Sequence, residues 1–130
     1  MIEMDLAKIM LRDNGDDQYV FLRERTGKRS FPIVIGPPEA REIYRLVSDM
    51  KTPRPMTHEL LRNAIEAMGG TLERVVVNDL DKGTFFARIV VSRNGEPIEL
   101  DARPSDAIAL ATRARIPIFA AEHVVDLASS

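Results

Sequence analysis

Between Glu99 and Ala111 the chain reads E-L-D-A-R-P-S-D-A-I-A-L-A. Within six residues it carries two carboxylates, Asp101 and Asp106, the guanidinium of Arg103 and the hydroxyl of Ser105. Carboxylates a short turn apart could hold a hard divalent cation such as Mg²⁺ or Mn²⁺ through oxygen ligands. A cation so held would polarise a phosphodiester or activate water. Arg103 could bind a phosphate bidentately, with Ser105 beside it. The same residues also make a purely structural corner, in which Arg103 bridges the two acids and Asp106 stabilises a helix start. Both readings stay open at the level of sequence.

A second polar group, Arg54, Thr57, His58 and Glu59, closes a proline-rich connector. A free imidazole titrates near neutrality, so His58 could serve as a general acid or base. Arg54 could clamp a phosphate with the N–H groups of the following helix start. Alternatively, Thr57 caps the helix and His58 is a surface or interface residue. Glu39 opens an earlier helix and could either join a metal site or favour its own helix N-terminus. His123, among apolar neighbours, reads as structural. Asp79 and Asp81 fall in a hairpin turn, where aspartate is favoured for backbone reasons alone.

The elements that position these groups follow from local patterning. Residues 5–11, 19–23 and 30–35 read as strands, separated by Asp13-Asn14-Gly15-Asp16 and Arg25-Thr26-Gly27-Lys28 turns. The third strand is almost wholly apolar, which predicts burial on both faces. Gly36-Pro37-Pro38 opens a helix whose buried stripe is Ala40, Ile43, Tyr44 and Val47, with Glu42 and Arg45 outside. Lys51 to Pro55 is a stiff connector. Thr57 then caps a helix with Leu60, Leu61, Ala64, Ile65 and Met68 inward, ended by Gly69-Gly70. Strands follow at 73–78, 84–92 and 96–101, the last two joined by the Asn94-Gly95 hairpin turn. Phe85 faces inward in that pattern. Pro104 suits the first turn of a helix and Arg103, preceding a proline, the extended N-cap position. Ala107, Ile108, Leu110, Ala111 and Ala114 line that helix, Ile116-Pro117 stops it, 118–120 is a short strand and 122–128 a short helix or turn.

The predicted fold is α+β: a mostly antiparallel, twisted sheet of six to seven strands covered by three helices, in a single domain spanning 1–130. The halves look like a β-β-β-α duplication. Pro32-Ile33 leads to Glu39-Ala40 as Pro97-Ile98 leads to Asp106-Ala107, which would give Glu39 and Asp106 equivalent places about a pseudo-two-fold axis.

Composition narrows the function classes. The 130 residues are 45% hydrophobic and 29% charged, an ordinary globular balance. A net charge of -2 and a pI near 5.7 argue against binding nucleic acid through bulk charge, although a local basic patch would suffice for an enzyme. Without cysteine there is no disulfide, thiolate zinc site or cysteine nucleophile. No signal peptide and no membrane-spanning run are evident, so a cytoplasmic protein without a membrane partner is expected. Phosphate-loop, dinucleotide, nucleophile-elbow and His-x-x-x-His patterns are all absent, and no organic cofactor is expected. Apolar positions on both faces of several strands favour self-association, a homodimer first.

The stretch R-P-S-D-A-I-A-L-A (Arg103 to Ala111) with P-I-F (Pro117 to Phe119), joined by Pro32 to Ala40 and Pro53 to Leu61, resembles the signature of the bifunctional nuclease domain family. The resemblance runs from about Met4 to about Leu127. It implies a metal-assisted nuclease acting on DNA and RNA with low sequence preference. In that reading Asp101, Asp106 and Glu39 are metal or acid ligands. His58 is the acid–base group, with Asp106 and Asp101 as catalytic acids, and Arg54 and Arg103 are phosphate clamps, with Thr57 and Ser105 beside them. The competing reading is a non-catalytic binding or regulatory module acting through protein–protein contacts. It draws on the acidic pI and the lack of a basic stripe.

Overall fold

The structure is a computed structural model that describes residues 1–12 and 17–129; the turn expected at Asp13–Asp16 lies outside the described residues. Seven strands form one sheet: β1 (Ile2–Met10), β2 (Gln18–Glu24), β3 (Ser30–Ile35), β4 (Thr71–Asp81), β5 (Thr84–Arg93), β6 (Glu96–Ala102) and β7 (Ile118–Ala120). Four helices accompany it: α1 (Pro37–Val47), α2 (Thr57–Ala67), α3 (Pro104–Ala114) and α4 (Glu122–Ala128). The expected α+β class is therefore correct. The helix count is four rather than three, because the last segment buries Val124 and Val125 completely and closes a turn of helix over them.

The sheet order is β3-β2-β1-β7-β4-β5-β6. Two antiparallel meanders, β1-β2-β3 and β4-β5-β6, lie back to back with β7 between them. β7 runs antiparallel to β1, pairing Met4 with Ile118, and parallel to β4, pairing Val75 with Ile118. Each meander passes into a helix through a proline-led corner. Gly36 (φ -73, ψ 160) and Arg103 (φ -68, ψ 147) are both extended N-caps, and Glu39 and Asp106 both occupy the third helical position after them. The order of elements and the corner geometry thus match the expected β-β-β-α repeat.

The core lies between the sheet and α3. Its run Ser105 and Ala107–Ala111 is buried, and its small alanines let the backbone lie close over β4 and β5. The sheet curls until β3 meets the start of β5, where the Phe31 and Phe85 rings stack with centroids 5.6 Å apart. Phe85 packs against the core as its alternation predicts, and Phe86 points outward.

Three burial expectations change. β3 has one face on the core and the other uncovered, so it alternates: Phe31, Ile33 and Ile35 are buried while Pro32 and Val34 face out. α1 buries Ala40, Ile43 and Leu46, which leaves Tyr44 and Val47 exposed. α2 has no fully buried residue. Leu61 and Ile65 pack against the core, whereas Leu60, Ala64 and Met68 are exposed, because α2 rides on α3 at the rim of the sheet. β6 is the other free edge, with Glu96 to Asp101 exposed throughout. No helix among the described residues is long and apolar enough to cross a membrane.

Candidate active site at two proline-led corners

The curled sheet and the α1–α3 packing bring the two corners together. Arg103, the N-cap of α3, donates from Nε to Asp106 Oδ2 at 3.0 Å and from Nη2 to Asp106 Oδ1 at 3.3 Å. Its Nη1 reaches Glu39 Oε1 on the other corner at 3.4 Å. Gly36 makes room for this, since a Cβ there would sit 3.0 Å from Glu39 Oε1. The equivalent acids of the two halves therefore meet across one guanidinium.

His58 enters from α2. Its Nε2 lies 3.0 Å from Asp106 Oδ1, and its Nδ1 is buried 4.0 Å from Glu42 Oε1, without a hydrogen-bond partner among the described residues. Burial raises the Asp106 pKa, but the bonds from Arg103 and His58 outweigh it and hold the carboxyl below its usual range. Asp106 is thus an anion at neutral pH, and an anionic acceptor places the imidazole proton on Nε2. Pro38, Glu42, Met56 and Thr57 complete an open cleft around this group.

Behind the cleft the charges continue. Arg45 donates to Glu42 from Nε at 3.1 Å and from Nη2 at 2.7 Å, and Nη2 also reaches Glu59 Oε1 at 3.2 Å. Glu59 accepts from Arg113 Nε at 2.9 Å and from the Met56 N–H at 3.0 Å. The Met56 bond is the largest influence holding the Glu59 pKa down, ahead of the opposing burial and of the Arg113 and Arg45 contacts. α1, α2 and α3 are therefore tied by alternating charges around a half-buried carboxylate. Sequence reasoning placed Glu42 and Arg45 on the outer side. Their side chains are in fact 18% and 13% exposed, because α2 covers them. Only their i,i+3 spacing hinted at a pair.

The other expected site residues are distributed differently. Met56, not Thr57, is the N-cap of α2, and Thr57 is its first helical residue. Ser105 is buried and lines a neighbouring cleft with Val34 and Phe85. Arg54 lines a separate cleft on the far side of the connector. Asp101, far more exposed than Asp106, pairs with Arg88 at 3.4 Å across β5 and β6. His123 is exposed, not packed among apolar neighbours, and meets Asp79 at 3.2 Å.

The expected metal set of Asp101, Asp106 and Glu39 is not assembled. Among the described residues no group of three or more His, Cys, Asp or Glu is arranged to hold a metal ion. Glu39 and Asp106 do approach, but Arg103 lies between them and supplies the positive charge that a cation would. The donors present do not fit a Mg²⁺ or Mn²⁺ ion.

A family model described as the bifunctional nuclease domain matches residues 20–130. The chain belongs to the bifunctional nuclease domain family. An uncharacterized protein of Mycobacterium tuberculosis is 38% identical over 96% of this chain and 74% of its own length. Bifunctional nuclease 1 of Oryza sativa subsp. japonica is 25% identical over 85% of this chain and 34% of its own length. The protein of the same name from Arabidopsis thaliana is 28% identical over 67% and 28%. The aligned segment is therefore about a third of each of those plant proteins.

Proposed function

We propose that this bifunctional nuclease domain is a phosphodiester hydrolase acting on DNA and RNA, with the Arg103–Asp106–His58 group as its reactive centre. The observation that carries the reading is the 3.0 Å contact of His58 Nε2 with a carboxylate that a half-exposed guanidinium also holds. A guanidinium has five N–H donors. Arg103 commits three of them to Asp106 and Glu39, which leaves two for phosphoryl oxygens. Asp106 orients a water and accepts its proton as the oxygen attacks phosphorus. The bond to the leaving oxygen breaks and that oxygen takes a proton from a solvent water, whose hydroxide recovers the proton held by Asp106. Arg103 meets the charge that grows on the phosphoryl oxygens. His58 holds Asp106 in place through Nε2. Its buried Nδ1 makes it a positioning residue in this arrangement, a narrower role than the independent acid–base group expected from sequence. No step is routed through a metal, and Asp101 has no part.

The test is cleavage of fluorescent single-stranded DNA and RNA by highly purified protein, in EDTA and in Mg²⁺ or Mn²⁺, beside Asp106→Asn and Arg103→Ala. Loss of an acid–base group costs roughly 10²- to 10⁴-fold in rate. Asp106→Asn is expected to fall in that range, with His58→Ala falling less. Equal cleavage by wild type and Asp106→Asn would move the active site elsewhere. The non-catalytic alternative draws support from the charge closure itself, since Glu39, Glu42, Glu59 and Asp106 all face arginine; no cleavage under any condition would favour it. A homodimer is proposed on the free β6 edge, whose Ile98 and Leu100 are exposed.

A further inference from the structure

The connector of Lys51 to Pro55 separates the His58 cleft from a second one of about 360 Å³, and the two differ sharply in charge. Five cations line the second cleft, Arg45, Lys51, Arg54, Arg62 and Arg113, against two carboxylates, Asp49 and Glu59. In a chain of net charge -2 this is a local concentration of positive charge. Arg45 and Arg113 are spent on Glu42 and Glu59. Lys51 and Arg54 make no ion pair among the described residues. Arg62 gives Nη2 to Asn63 Oδ1 at 3.3 Å, while its buried Nε finds no acceptor among the described residues and lies 4.0 Å from Glu66. Lys51, Arg54 and Arg62 thus line one space in which Asp49 is the lining carboxylate that no arginine holds among the described residues. The Thr52 hydroxyl bonds the Arg54 carbonyl at 2.6 Å and fixes the connector that carries two of the three.

We propose that this second cleft is an anion subsite for the backbone phosphate of a neighbouring nucleotide of the bound strand, held by Lys51, Arg54 and Arg62. The inference rests on the reading of the domain as acting on nucleic acid. Pro53 to Pro55 line the second cleft and Met56 and Thr57 the first, so a strand running from one to the other passes over this connector. Asp49 keeps the cleft from being a bulk polyanion trap, which fits a chain of acidic pI. The site is sequence-independent because it touches no base edge.

The test is fluorescence anisotropy of a labelled 12-nucleotide single strand in EDTA, against wild type and the variant carrying Lys51→Gln, Arg54→Gln and Arg62→Gln. Lys51 and Arg54 are exposed and Arg62 is partly buried, so thermal melting checks that the variant folds. Each phosphate contact on a single strand contributes about 0.7 to the slope of log K against log salt. The variant is expected to bind at least about tenfold more weakly at 0.1 M salt and to lose roughly 0.7 from that slope. A methylphosphonate strand, which lacks backbone charge, should bind both proteins equally weakly. This pattern supports the subsite even when no cleavage is seen, which would refute only the hydrolase reading. Equal affinity and equal slope for the two proteins would overturn it. So would tighter binding of inorganic phosphate or pyrophosphate than of the strand, which would make the cleft a site for a small free anion. Cleavage by wild type with unchanged strand binding by the variant would overturn the subsite and leave the hydrolase reading standing.

Discussion

Glu59→Ala is expected to loosen the three helices at once. The Glu59 carboxylate accepts the Met56 N–H at the start of α2, one bond from Arg45 of α1 and one from Arg113 of α3. Loss of an N-terminal capping acceptor costs about 1 kcal/mol. The Arg113 pair, with the arginine 36% exposed, is discounted to about 0.5–1 kcal/mol. Arg45 keeps Glu42, so its loss is limited to about 0.5 kcal/mol. The total is about 2–2.5 kcal/mol. Unfolding entropy near 2.1 cal/mol/K per residue converts this, for 130 residues, to a fall in Tm of about 7–9 °C. Glu59→Gln keeps an acceptor for Met56 and should lose about 4 °C. Differential scanning calorimetry reads both values. A double-mutant cycle with Arg113→Ala should return a coupling of about 0.5–1 kcal/mol. A Tm within 2 °C of wild type for Glu59→Ala would show that the network carries no structural load and would refute the reasoning.

Acid should weaken the fold through the same groups. The carboxyls of Asp106 and Glu59 are held below their ordinary values of 3.8 and 4.5, so their stabilisation is complete above those values and lost as pH falls through the lower folded-state values. Chemical denaturation between pH 6 and pH 2 should show this fall, and a double variant Asp106→Asn, Glu59→Gln should show a shallower one. Gly70→Ala should destabilise by about 1–3 kcal/mol, because its Cβ would lie 2.8 Å from Val91 Cγ1 and 2.9 Å from Ile65 Cγ2; a neutral result by urea melting would mean that α2 and β5 part easily. Millimolar Mg²⁺ or Mn²⁺ should leave the wild-type Tm unchanged within about 1 °C, since a ligand stabilises only where it binds the folded state. A rise of several degrees would show that a cation displaces Arg103 from between Glu39 and Asp106.

The corners were legible because their rules are local. Pro104 fixes its own φ and biases Arg103 to extended backbone, so the start of α3 followed from two adjacent residues. The Asn94-Gly95 turn was legible for the same reason, and both residues take positive φ. Which side of a strand is covered is decided by sheet order, and no local pattern carries that. β3 therefore reads as fully buried although its Pro32 and Val34 face is uncovered. The meeting of Arg103 with Glu39 spans 64 positions and that of His58 with Asp106 spans 48, so only the composition of each cluster was visible beforehand. Asp101 shows the converse. It stands five residues from Asp106, yet the extended backbone of β6 aims it at Arg88.

β7, only three residues long, has a consequence for how the chain reaches its native state. Each meander pairs strands that are neighbours in the sequence, contacts that form early. The seam between them cannot form until Ile118–Ala120 slides in beside Ile2–Met4, across more than a hundred intervening residues. Such distant pairings are slow to form. Until that happens β1 and β4 both present bare rims, the kind of surface on which nascent chains stick to one another. A nascent chain halted before Ile118 would hold both meanders and no keystone. The domain should therefore depend on chaperoning during synthesis more than its modest size would indicate.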